Sequence, residues 1–398
     1  MVCPKFKNRR VGSSILLMST MLITKKNYLV FLLLLLMYLP LFKYYIYLNN
    51  NGGHSFMTAD WLISYRFGYV NRGLFGTFVL NTFNNANSIL NFLSYSLVFV
   101  YVTIFFYLSS ILSLKPQGVV TYALIFSPAF FLFNIYDSQG AFRKEILGIL
   151  SLFLLINSMR NEDKKRYIFL SSFFYTIGIF SHSVNLFFLT TILLILYKFK
   201  NSKSVTDYLL YLIPTSINFI FYFLFSNNEQ QLYLKRDLMC AELEMLNLSN
   251  LCSYGSFDFL VWDLNAAYLI TQNYIINENR QASYFYIVLF LFSTFPLVFD
   301  KNTYLNLKYY FFVGVSFIPL FLIAYDWGRW IYIMSVCFFT LYILSEKNII
   351  KSKFKYFLVL YPFLFRIEHC CNPSIDISIT KIFENIDYLF MNILSVFQ

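Results

Sequence analysis

An all-α, polytopic membrane protein of about eleven transmembrane helices is predicted by three features of this chain. Its mean hydropathy is +0.59, 58% of its 398 residues are hydrophobic, and only 13% are charged. That composition belongs to a multi-spanning membrane protein. Apolar runs of about 15 to 25 residues recur between polar breaks, close to the length a helix needs to cross a hydrocarbon core of roughly 30 Å. Lys and Arg are also distributed unequally between alternate breaks, as the positive-inside bias requires. The net charge of +11 therefore marks cytoplasmic flanks of spans and not a nucleic-acid surface.

Residues 11–24 are apolar but too short to span, and Lys25 and Lys26 stand where a cleavage site would need small residues. No removable signal peptide is expected, and Met18 and Met21 are alternative starts. The first span is expected over 28–47, followed by a first outer loop over 48–88 that carries an interfacial helix. Further spans are expected at 89–114, 118–136, 146–159, 167–181, 184–197, 207–226, 283–299, 309–325, 330–345 and 356–367, with a long outer loop over 227–282. Several are short, which points to tilted, kinked or partly inserted helices. The whole chain, 1–398, reads as one integral membrane domain without internal repeats.

The stretch 167–197 decides the topology. A single helix of that length would be roughly 46 Å long, well beyond the hydrocarbon core. Lys164, Lys165 and Arg166 precede it, and Lys198, Lys200 and Lys203 follow it. Two basic ends place both on the cytoplasmic side, so the stretch turns at Ser181-His182-Ser183 and presents His182 outside. The same bias puts the N-terminus in the cytoplasm and the C-terminus on the outer, periplasmic side. Cys240 and Cys252 then share the longest outer loop, where an oxidising compartment favours a bridge between them, with free thiols as the alternative. His369-Cys370-Cys371 is a small group just past the last span, but no closed zinc spacing is present.

The charges that do not flank cytoplasmic ends recur in short clusters on the outer side. These are Asp60, Arg66 and Arg72; Asp137 with Arg143, Lys144 and Glu145; His182; and Asp326 with Arg329. Cations there run against the insertion bias and call for another reason, such as an anionic substrate. Arg66 and Arg72 lie among aromatics, which suits either phosphate binding or an interfacial helix with snorkelling arginines. Arg143 grips phosphate as a fork and Lys144 adds a point charge, while Asp137 or Glu145 serves as a base or holds those cations in an ion-pair network. Asp326 and Arg329, three residues apart, share a helix face and form either a substrate contact or an interfacial salt bridge. His182 is a cap or, as neutral imidazole, a general base.

Together these groups suit transfer of a sugar from a polyprenyl-linked donor. Cations neutralise the leaving diphosphate, and a carboxylate or His182 takes the proton of the acceptor hydroxyl. No cofactor or metal is expected if the cations do this work. The short cytoplasmic loops leave no soluble catalytic domain and no phosphate-binding glycine loop.

On the Arg66/Arg72 loop, the Arg143-Lys144-Glu145 turn, the outer loop over 227–282 and the Asp326/Arg329 junction, the chain resembles O-antigen polymerases. More broadly it is similar to multi-spanning glycosyltransferases that use lipid-linked sugars. An Arg followed eleven positions later by Gly, described for some of these polymerases, is absent. The resemblance implies polymerisation of undecaprenyl-diphosphate-linked repeat units at the periplasmic face, alongside a flippase and a chain-length regulator. Arg66, Arg72, Arg143, Lys144 and Arg329 would hold the diphosphates with Asp326 beside them, and Asp60, Asp137, Glu145 or His182 would be the base. A transferase adding one sugar from a polyprenyl monophosphate and a flippase for lipid-linked oligosaccharides are the alternatives.

Overall fold

A computed structural model describes residues 25–112, 118–159, 164–199, 204–225, 229–274, 277, 280–299, 306–345 and 358–370, with isolated residues 384, 387, 388 and 391. Residues 11–24, both alternative starts and Cys371 lie outside the described residues. The described residues are helical, with no strand among them.

Four helices are long and apolar enough to cross a membrane, and they mark the protein as membrane-embedded: α1 (Lys25–Asn50, apolar from Asn27), α4 (Ala86–Ile111), α10 (Val205–Leu224) and α15 (Trp327–Leu344). Between them run α2 (Ala59–Leu62), α3 (Leu74–Thr82), α5 (Val119–Ile125), α6 (Phe133–Tyr136), α7 (Ile146–Asn157), α8 (Lys164–Ser181) and α9 (Phe188–Leu194). After α10 come α11 (Glu229–Met245), α12 (Leu264–Asn273), α13 (Arg280–Thr294) and α14 (Leu307–Ile323).

Two expected spans differ. The run 118–136 is broken into α5 and α6, because Pro128 disfavours helical geometry at Ser127 and removes a backbone donor. Uniform hydropathy hides that break. The described part of 356–367 holds only short turns, one of them at Tyr361–Phe363 around Pro362. By contrast α8 ends at Ser181, and His182 is extended (φ −161°, ψ 121°), so the helix breaks where the basic flanks require a turn.

At the centre lies α7, an almost wholly apolar helix whose twelve residues are all buried, as a helix that is hydrophobic all round should be. It packs against α4, α8, α9 and α15. Small side chains allow that approach: Ser151 Oγ donates to the Ser171 carbonyl at 2.8 Å, and Ser171 Oγ returns the bond to Ser151 at 2.7 Å. Tyr175 and Thr215, 2.9 Å apart, continue the seam from α8 to α10. In α15, 83% of the apolar window is buried, against 17% in α10, so α15 is an inner helix and α10 a peripheral one.

Within the first loop, α2 is completely buried. The long loop packs over the first through α11 and the segment that follows. Cys240 and Cys252 are joined by a disulfide (S–S 2.09 Å), the pairing expected from their positions. Cys370 is also disulfide-bonded, and Cys337 is a buried free thiol.

Candidate functional site

The end of α1, α2, the N-terminus of α7, the C-terminus of α8 and the N-terminus of α15 meet in one polar cluster. Its members are Asp60, Arg72, Arg143, Lys144, Glu145, His182, Asp326 and Arg329, close enough to act on one another's charge. Arg66 and Asp137 stand apart.

Asp60 is fixed by its neighbours. Thr58 Oγ1 donates to Asn49 Oδ1 at 2.6 Å, and Trp61 Nε1 donates to the Phe142 carbonyl at 2.5 Å, so α2 is tied both to α1 and to the basic turn. Phe142 adopts φ +56°, a conformation that bulky residues rarely tolerate. It is held there from three sides: its N–H donates to Tyr101 Oη at 3.1 Å, its carbonyl accepts from Trp61, and its ring stacks 4.1 Å from Tyr45. This kink delivers Arg143 and Lys144 into the cluster.

Lys144, fully buried, donates from Nζ to the Arg72 carbonyl at 2.8 Å. Arg72 donates to the Phe259 carbonyl at 3.2 Å and places Nη1 3.6 Å from Asp60 Oδ1, beyond hydrogen-bond range. Arg143 donates to the Phe56 carbonyl at 2.7 Å and reaches Ser256 Oγ at 3.4 Å, while its Nε is buried without a partner. Arg329 grips Glu145 as a fork, through Nε at 3.0 Å and Nη2 at 2.9 and 3.1 Å, and donates from Nη1 to Asp326 at 2.5 Å. Gly328 makes this possible: its N–H donates to the His369 carbonyl, and a Cβ there would sit 1.8 Å from the Glu368 carbonyl oxygen.

Four cations thus face three carboxylates and a histidine. Burial alone would raise the Asp60 carboxyl, but the cations Lys144, Arg143 and Arg72 together outweigh it and hold Asp60 below the usual carboxylate range. Burial pushes the Lys144 ammonium down to about 8, although Asp60 opposes the shift. Burial likewise lowers Arg72 and Arg143. His182 is driven well below its ordinary value by burial, with Asp60 opposing and the surrounding cations reinforcing it, so its ring is neutral. Its Nδ1 accepts the Val184 N–H at 3.2 Å, which assigns the ring proton to Nε2.

The four acids and bases now separate. Asp137 accepts from Gly140 N–H at 3.0 Å and from both the backbone and the ring of His369, so it caps a turn and ties down the segment at 369. Glu145 is occupied by Arg329. His182 has its Nδ1 lone pair engaged. Asp60 is different: it is 1% exposed, and neither carboxylate oxygen accepts a hydrogen bond. Arg66 turns away to Leu80, Asn81 and Glu242, joining the first loop to α11.

Asn185 is a positioning residue that the charge pattern does not single out. Its amide donates to the carbonyls of Gly178 and His182 at 3.0 and 3.1 Å, and its Oδ1 accepts the Gly148 N–H at 3.1 Å near the start of α7. An amide inside an otherwise apolar run, three residues after His182, was the available signal. Asn185→Ala is expected to cost about 1–3 kcal/mol by orphaning these groups. A lower unfolding temperature in detergent checks it.

Among the described residues no group of three or more His, Cys, Asp or Glu is placed to hold a metal ion. No family model matches the chain, and no curated protein or solved structure matches it either.

Proposed function

We propose that this cluster transfers a glycosyl group from a polyprenyl-diphosphate-linked oligosaccharide to an acceptor hydroxyl, polymerising repeat units of a bacterial surface polysaccharide at the periplasmic face of the inner membrane. One observation carries the reading: Asp60 is an ionised, buried carboxylate without a hydrogen-bond donor, set among Arg72, Arg143 and Lys144. A buried acceptor left unsatisfied is costly, and such groups concentrate where a reacting partner supplies the missing donor.

In this scheme Asp60 takes the proton of the acceptor hydroxyl as its oxygen attacks the anomeric carbon. The bond from that carbon to the diphosphate oxygen breaks, and polyprenyl diphosphate leaves with the electron pair. Arg72, Arg143 and Lys144 receive the charge that develops on it. Arg329, gripped by two acids, holds the turn at 143–145 in place, and the Nε2–H of His182 is a donor.

A second reading is favoured by the same residue's place in the chain. The acid lies in the first loop, as in transferases that add one sugar from a polyprenyl monophosphate. A deletion strain separates the two: single capped repeats indicate a lost polymerase, and undecorated long chains a lost branching enzyme. Cytoplasmic accumulation of lipid-linked units would instead indicate a flippase and end both readings.

A pH profile probes the charge balance. Asp60 stays ionised throughout the neutral range, whereas Lys144 loses its proton near pH 8 and with it one cation for the leaving group. Transfer is expected to fall as pH rises through about 8. Lys144→Arg, which stays charged, should remove that alkaline limb.

A further inference from the structure

Four aromatic rings meet beside the cations, on the segment that follows the Cys240–Cys252 disulfide and on the first loop. Phe56 lies 6.1 Å from Tyr254 and 6.0 Å from Phe259, and Phe259 lies 4.6 Å from Trp262. Hydrogen bonds and close backbone packing tie this segment to the first loop. Ser256 N–H donates to the Ser55 carbonyl at 2.9 Å, and a Cβ on Gly255 would sit 2.4 Å from that same oxygen. Asn250 donates to the Gly52 carbonyl at 3.0 Å, and Asp258 accepts the Gly255 N–H at 3.1 Å. Tyr254 nonetheless remains 73% exposed.

The rings and the cations are one assembly. Phe259 supplies the carbonyl that Arg72 binds, and Phe56 supplies the one that Arg143 binds. The Arg143 guanidinium also lies 5.7 Å from the Phe56 ring centroid. At the edge of the face, Arg236 pairs with Asp237 at 2.8 Å and reaches the partly exposed Asp258 at 3.5 Å.

We infer that this face, formed by Phe56, Tyr254, Phe259 and Trp262, binds the sugar rings of the glycan whose diphosphate the cations hold. The apolar faces of pyranose rings stack on aromatic faces, and a neighbouring carboxylate and guanidinium suit ring hydroxyls. The inference rests on the proposed glycosyl transfer, since it takes its occupant from that reading. Interfacial anchoring of the same rings in lipid is the competing use.

The test uses the full chain in lipid nanodiscs and, as probe, oligosaccharides released by mild acid from the host's surface polysaccharide. Binding is measured by calorimetry in wild type, Tyr254→Ala, Trp262→Ala, Tyr254→Phe and Asp60→Asn. Each alanine variant is expected to weaken Kd about tenfold, the effect of losing one good ring contact, while Tyr254→Phe retains binding. Asp60→Asn is expected to bind like wild type while losing transfer. Unchanged binding in both alanine variants, or no binding by wild type, overturns the platform and leaves the rings as lipid anchors. Normal transfer by Asp60→Asn with ring-dependent binding sinks the reaction assignment and keeps the platform.

Discussion

Asp60→Asn is expected to reduce glycosyl transfer by about 10²–10⁴-fold, the usual worth of a general base. Asparagine keeps the shape of the side chain and removes only the charge and the proton-accepting power. The change also leaves Arg72, Arg143 and Lys144 without the anion they surround, so substrate diphosphate becomes the main counter-charge. Donor affinity should therefore hold or tighten while turnover collapses. That split separates a base from a structural counter-ion, whose loss would weaken binding and stability together. It is read by measuring KM and kcat separately, with unfolding temperature as the control. Asp137→Asn is the matched comparison. Its loss should loosen the segment around His369 and lower stability with little change in turnover per folded molecule.

Arg329→Ala is expected to destabilise the fold by about 3–5 kcal/mol, because it strands Glu145 as an uncompensated buried charge. Both side chains are 3% exposed, so water cannot replace the lost fork. Replacing the pair together, Glu145→Gln with Arg329→Met, should recover most of that stability, since an apolar or neutral pair of similar volume avoids the desolvation cost. Transfer should stay low in the double variant if the pair holds the 143–145 turn for catalysis. Thermal unfolding in detergent measures the first effect and a transfer assay the second. Full recovery of transfer by the double variant would reduce the pair to a scaffold element.

The cluster's ingredients stand out in the sequence because every charge in an apolar chain needs a reason. Asp60, Arg72, Arg143, Lys144, Glu145, His182, Asp326 and Arg329 are visible in that way, and the break at His182 follows from basic residues on both flanks of 167–197. Hydropathy does not encode direction. Asp137 and Glu145 flank the same turn, yet one reaches His369, 232 residues away, and the other reaches Arg329, 184 residues away. Arg66 and Arg72 are six residues apart and part company in the same fashion. Partners so distant leave no local trace, so their sorting into scaffold and site waits for tertiary packing. Phe142 carries no sequence signal for its left-handed backbone, which arises because Trp61, Tyr101 and Tyr45 hold it from outside. The apolar run 118–136 looks continuous by hydropathy and is broken by local backbone chemistry at Pro128.

The central claim is tested most directly by supplying the full chain in nanodiscs with a polyprenyl-diphosphate-linked repeat unit of the host polysaccharide. Released polyprenyl diphosphate and the glycan product are then measured in the same reaction. Wild type is expected to release one polyprenyl diphosphate for each glycosidic bond formed and to build chains of two or more units. Intact donor after prolonged incubation, or release of polyprenyl diphosphate without any new glycosidic bond, would contradict glycosyl transfer at the Asp60 cluster.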